Sequence, residues 1–174
     1  MMNEVIRAIE ERRSVRRYKP ETPPRELIDA VIDAGLWAPT GHNRQDVLIV
    51  AVTEPAVRAR LSAINAEIWG SKADPFYGAP VILIVLAERG WYNADYDGSL
   101  ALGSMMLAAH SLGLGSCWIN RAKEEFELPE WQEFLRSIDV EGEWQGVGHL
   151  ALGFPDGETP KAPRRKPNRV FYVE

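Results

Sequence analysis

Pro80-Val81-Ile82-Leu83-Ile84-Val85-Leu86-Ala87 (PVILIVLA) is the longest apolar run of the 174-residue chain. It is far too short to cross a bilayer, which takes about 20 apolar residues in a helix. Uncharged and rich in β-branched residues, it reads as a strand buried on both faces at the centre of a sheet. Upstream, Val47 to Val52 (VLIVAV) reads as a second buried strand. Downstream, Gly98 to Leu112 is small and apolar nearly all round, as in a helix wedged between a sheet and other helices. Gly113-Leu114-Gly115 ends it, and Ser116 to Ile119 is a short strand. Val147 to Phe154 reads as a strand broken by glycines, with the turn Asp156-Gly157 after it, and Val170 to Val173 as a last short strand.

Helices fill the intervals. Residues 3–12 place Val5, Ile6 and Ile9 at helical spacing. Thr22-Pro23-Pro24 opens a second helix with the face Leu27, Ile28, Val31 and Ile32, which stops near Pro39. Pro55 opens a third, carrying Val57, Leu61, Ile64 and Ile68, and Lys123 to Ile138 holds one or two acidic helices interrupted at Pro129. The alternation predicts one α/β domain over residues 1–174, a three-layer sandwich of sheet and helices.

Composition narrows the function. Hydrophobic residues make 45% and charged residues 26%, an ordinary globular balance. The start, MMNEVIRAIEERRS, has no apolar signal region, so a cytoplasmic location is expected. One cysteine, Cys117, excludes an internal disulfide; flanked by Ser116 and Trp118 it reads as a small buried hydrophobe. His42, His110 and His149 lack ligand spacing, so no metal site is expected, and His110 reads as a core histidine. Phosphate-loop, dinucleotide-fingerprint and nucleophile-elbow motifs are absent. An enzyme so poor in candidate acids, bases and nucleophiles leaves the hard step to a cofactor.

The net charge of −5 is unevenly spread. Residues 1–19 carry +3 and residues 161–174 carry +4, around a body of −12. Such a body disfavours nucleic acid, whose non-specific affinity comes from neutralising many phosphates. The cationic ends are either solvated faces or two halves of one small-anion site.

Four stretches carry chemistry: Arg12 to Tyr18 (RRSVRRY), Ala38 to Asn43 (APTGHN), Asp97 to Ile119 (DGSLALGSMMLAAHSLGLGSCWI), and Gly148 to Pro155 (GHLALGFP) with Arg164 to Pro167 (RRKP). Guanidinium groups such as those of the first grip phosphate oxygens in pairs. Together and in this order, the four resemble the nitroreductase family of FMN-dependent oxidoreductases. The resemblance implies an α+β three-layer sandwich with a mainly antiparallel sheet. It also implies a homodimer with FMN at the interface, and two-step transfer in which NAD(P)H reduces the flavin at N5 and a nitroaromatic, quinone or related small molecule takes the electrons.

Residue by residue, the resemblance sets Arg12, Arg13 and Ser14 at the FMN phosphate, ribityl chain and ring edge. It sets Arg16 at the N1/C2 side of the ring, where a fixed cation stabilises the charge of the reduced form. It turns Pro39, Thr40 and Asn43 toward the other subunit's flavin, puts the backbone of Ile119, Asn120 and Arg121 at N5, and makes Arg165, with Arg164 beside it, the C-terminal phosphate arginine. The pattern also breaks in places. The rim after Asn43 reads Gln45-Asp46-Val47; Pro163 occupies the usual lysine position, leaving Lys161 or Arg164 to substitute; Asn120-Arg121 replaces a commoner glycine; and Ser71 and Lys72 are the nearest match to a central asparagine and lysine. Other outcomes compatible with the resemblance are a flavin-binding or sensing protein and a branch performing dehalogenation or dehydrogenation.

Overall fold

The computed structural model describes residues 3–174; Met1 and Met2 lie outside the described residues. Strands β1 (Val47–Val52), β2 (Val81–Glu88), β3 (Gly115–Ile119) and β4 (Trp144–Gly153) form one sheet in the order β1-β2-β4-β3. Every neighbouring pair is antiparallel. The helices are α1 (Glu4–Glu11), α2 (Arg25–Leu36), α3 (Pro55–Trp69), α4 (Ala94–Ser111), α5 (Ala122–Glu125) and α6 (Pro129–Ser137). None is long and apolar enough to cross a membrane.

The PVILIVLA run is the middle of this arrangement, and Val81 to Ala87 are all fully buried. An antiparallel sheet with one wet face alternates apolar and polar residues; here both faces are covered, so the alternation vanishes. Ile82, Ile84 and Leu86 join Leu61 of α3, Phe126, and Trp131 and Leu135 of α6. Val81, Leu83 and Val85 join Ile28 and Val31 of α2 with Ala101, Leu102 and Met105 of α4. Two cores on opposite faces make the three layers. Each fully buried aliphatic side chain contributes roughly 1.5–3 kcal/mol, so the central strand anchors both.

Small residues set the spacing of the layer that holds α4. A Cβ on Gly98 would come within 2.6 Å of Val147, and one on Gly35 within 2.7 Å of Met105. α4 starts at Ala94, four residues before the small-apolar pattern, with Asp95 and Asp97 in its first turn where the helix dipole favours negative charge. Pro129 opens α6 rather than kinking a longer helix.

Two expectations are corrected. β4 runs unbroken for ten residues, because its glycines mark close neighbours and not strand ends. A Cβ at Gly146 would fall 2.0 Å from the Ala122 carbonyl oxygen, and one at Gly148 would fall 2.6 Å from Trp118 Nε1. Val170 to Val173 form no strand: the segment lies against no other strand, and a strand without a neighbour has nowhere to place its backbone hydrogen bonds. Residues 157–174 are exposed throughout.

Candidate functional site

α1 ends when Arg12 turns extended (φ −55, ψ 133), and the chain then runs alongside β3. Ser14 pairs in parallel with Ser116, and the Val15 N–H donates to the Ser116 carbonyl at 2.9 Å. Gly115 lets this arm lie flush, since a Cβ there would sit 2.8 Å from Val15 Cγ1. Tyr18 pins the far end: its hydroxyl donates to the Val15 carbonyl at 2.7 Å, and its ring joins the core. Burial pushes the Tyr18 phenol far up, keeping it a donor.

Along this arm, Arg12, Arg13, Ser14 and Arg16 meet Pro160, Lys161, Pro163 and Arg165 of the C-terminal segment, lining an open cavity of about 300 Å³. The two cationic ends of the sequence therefore face one space. No carboxylate lines it. Among the described residues, Arg12, Arg13, Arg16, Lys161 and Arg165 pair with no carboxylate, whereas the adjoining Arg17 meets Asp156 at 2.9 Å. Arg13 Nη1 donates to the carbonyls of Glu10 and Arg12 at 2.6 and 2.7 Å. Arg12 Nη1 and Arg13 Nε are buried with no acceptor. Buried donors without acceptors are costly, and guanidinium groups gathered without a carboxylate favour an anion beside them. A doubly charged phosphate matches this donor set. Of Lys161 and Arg164, Lys161 lines the cavity and Arg164 does not.

The arm passes the buried Cys117, whose thiol burial pushes up against the opposing pull of Arg16, Ser14 and Arg12. Ile119, Asn120 and Arg121 lie at the other end of β3 from the cavity. At roughly 3.3 Å per residue, Ser116 and Asn120 are about 13 Å apart, the scale of a mononucleotide with its ring. A network built on the fully buried His149, Glu125 and Asn65 backs this end. His149 Nε2 meets Glu125 Oε2 at 2.7 Å, and Asn65 Nδ2 donates to Glu125 Oε1 at 2.5 Å and to the Asn120 carbonyl at 2.9 Å. Arg121 Nε donates to Asn65 Oδ1 at 2.9 Å, and Arg16 lies over the Tyr77 ring at 5.8 Å.

Pro39, Thr40 and Asn43 are not brought to this cavity. They precede β1, the opposite edge of the sheet from β3. A 3₁₀ turn at Gly41–Asn43 is held by the Gly41 N–H donating to Asp97 Oδ1 and by the Gln45 N–H donating to Thr40 Oγ1, both at 2.9 Å. His42, Asn43 and Gln45 all have φ near +55, a left-handed conformation maintained by these contacts. Trp91 Nε1 holds the second Asp97 oxygen at 2.9 Å.

Residues 9–75 and 65–154 match the Nitroreductase family. This chain belongs to that family. A nitroreductase with bound FMN from Bacteroides fragilis superposes on it with a TM-score of 0.90 at 30% identity, covering 99% of this chain and 100% of that one. The FMN reductase (NAD(P)H) of Bacillus subtilis is 26% identical over 196 residues, covering 99% of this chain and 74% of that protein. A Methanothermobacter thermautotrophicus protein assigned as an NADH dehydrogenase/NAD(P)H nitroreductase is 30% identical over 119 residues, 66% of this chain. The match spans 60% of that relative, under two thirds of its length.

Several residues that shape this nitroreductase-family site escape a reading of the sequence. Asn65 occupies a core position of α3, four residues after Leu61, and Glu125 directly precedes the buried Phe126. No local signal exposes either, since a single polar residue in a helix ordinarily faces water. Ser71 and Lys72 make no comparable contact: Ser71 Oγ accepts only the Ala73 N–H, and Lys72 is exposed. His110 is half-buried at the surface beside Arg12 and Arg13 rather than in the core. Asp46 is buried with neither carboxylate oxygen hydrogen-bonded by a donor. Its burial, with Asp97 alongside, raises its carboxyl above the usual range.

Proposed function

We propose that this chain is an FMN-dependent oxidoreductase that uses NAD(P)H to reduce nitroaromatics, quinones or related small acceptors, and that it works as a cytoplasmic homodimer. The observation that carries this reading is the cavity in which both cationic ends converge without a carboxylate. Arg12, Arg13, Ser14, Lys161 and Arg165 hold the FMN phosphate, and Arg16 is the cation for the ring's N1/C2 side. The backbone of Ile119, Asn120 and Arg121 faces N5. Bound FMN supplies two-electron chemistry, accepting a hydride equivalent from the nicotinamide and releasing the electrons to the acceptor. This chain's own contribution is to bind, orient and stabilise charge, with protons drawn from water.

The dimer rests on uncovered apolar surface. α1 buries none of its residues, and Val5, Ile6 and Ile9 are 63%, 44% and 49% exposed. Trp37, Leu100, Tyr96 and the terminal Val170-Phe171-Tyr172-Val173 are also exposed. Apolar surface on that scale marks an association face. A second copy would also bring Pro39, Thr40 and Asn43, remote from the cavity of their own chain, to its partner's flavin.

The test is direct. Purified protein is yellow, NADH or NADPH bleaches it anaerobically, and a nitroaromatic or quinone restores the colour. Colourless protein that takes up no FMN sinks the proposal. Yellow protein that nicotinamide cannot bleach assigns a binding or sensing role instead.

A further inference from the structure

One cation near the proposed ring site remains unassigned. Arg121 stands at φ +77, a left-handed conformation that disfavours any side chain, and its guanidinium is held on two sides. Nε donates to Asn65 Oδ1 at 2.9 Å, and the group lies 5.0 Å from the centroid of the Trp69 ring. Asn65 is itself fixed by Glu125 and the Asn120 carbonyl, and Glu125 by His149; Asn65, Glu125 and His149 are fully buried. An arginine on a mobile surface stem is free to turn away; this one is locked.

Its terminal nitrogens, by contrast, are open. They bond no protein acceptor, they are not sealed from solvent, and among the described residues Arg121 pairs with no carboxylate. Beside them, Trp69 is 52% exposed and presents a flat apolar surface. A fixed guanidinium fork next to an aromatic ring recognises a planar molecule with a carboxylate at its edge.

We propose that Arg121 makes this site selective for planar aromatic acceptors that carry a carboxylate. The inference rests on the flavin reading above, because it is the position of Asn120 and Arg121 at N5 that turns an anion fork into an acceptor fork. The 2′-phosphate of NADPH is a second source of negative charge, but it lies at the far end of the donor from its reacting ring, whereas Arg121 adjoins the reacting position.

The experiment is a calorimetric titration of the oxidised, FMN-loaded protein with benzoate and with benzamide, in wild type, Arg121→Gly and Arg121→Gln. Glycine suits the left-handed backbone, so Arg121→Gly removes the charge without straining the turn. Benzoate binds wild type at least about tenfold more tightly than benzamide, and both variants lose that preference. The ratio of kcat/KM for 4-nitrobenzoate to that for nitrobenzene falls in parallel. Equal affinities in wild type, undetectable benzoate binding, or a preference that survives in Arg121→Gly overturns the proposal. A variant that changes NADPH-over-NADH preference but keeps the benzoate preference assigns Arg121 to the donor and overturns it as well. The titration needs no turnover, so a flavin that nicotinamide cannot bleach refutes the proposed activity while leaving the anion test readable.

Discussion

Replacing Arg12 or Arg165 with alanine tests the convergence of the two chain ends on one anion. Each removes a cation from a cavity that contains no carboxylate to take its place. A charge-assisted hydrogen bond is worth about 1.5–3 kcal/mol, so each variant should bind FMN about 10- to 150-fold more weakly. If both groups hold the same phosphate, the double variant departs from additivity by roughly 0.5 kcal/mol or more. Arg17→Ala is the control: Arg17 lies on the same arm but is exposed and paired with Asp156, so its loss should change FMN affinity less than about threefold. Arg12 adds a second readout. Its buried, unpartnered Nη1 is a burden of roughly 1–3 kcal/mol without an anion, so Arg12→Ala lowers the melting temperature of the FMN-loaded protein more than that of the FMN-free protein. Fluorescence titration of FMN at several salt concentrations supplies the affinities. Unchanged binding in both Arg12→Ala and Arg165→Ala, or an equal loss in Arg17→Ala, would falsify the shared-anion argument.

Other expectations follow from the interior. Gly146→Ala forces its methyl into the Ala122 carbonyl and should cost about 2 kcal/mol or more in guanidinium unfolding, because backbone and not a side-chain tip must move; full stability would mean α5 yields freely. Glu125→Ala strips His149 and Asn65 of a buried partner and should cost roughly 3–5 kcal/mol, while Glu125→Gln, which keeps the shape, costs less; equal losses would show that hydrogen bonding is not what the site needs. Asp46 retains its proton in the fold at pH values where the unfolded chain has lost it, so its contribution is full below the ordinary aspartate value of about 3.9 and declines as pH rises through the elevated native value. Asp46→Asn should therefore raise the melting temperature more at pH 7 than at pH 3.5, and a pH-independent difference would contradict the assignment.

How far a linear sequence discloses this molecule depends on the range of the interaction. PVILIVLA declares a strand covered on both faces because burial acts on each of its residues alike. RRSVRRY and the C-terminal arginines stand out because charge density is local. The choice between Lys161 and Arg164 has no such marker: in an irregular, exposed segment, spacing does not determine which side chain turns inward. The distance of Thr40 and Asn43 from the cavity follows from strand order, which no local pattern encodes. Asn65 and Glu125 are silent for another reason, since an isolated polar residue in a helix usually faces water, and only the assembled core reveals these two as partners.

The cavity lined by Arg12 and Arg165 draws on segments far apart in the sequence, which has a bearing on synthesis. A growing chain presents the first half of the clasp well before the second, so on the flavin reading a chain that still lacks Arg165 should hold the phosphate more weakly than one that has it.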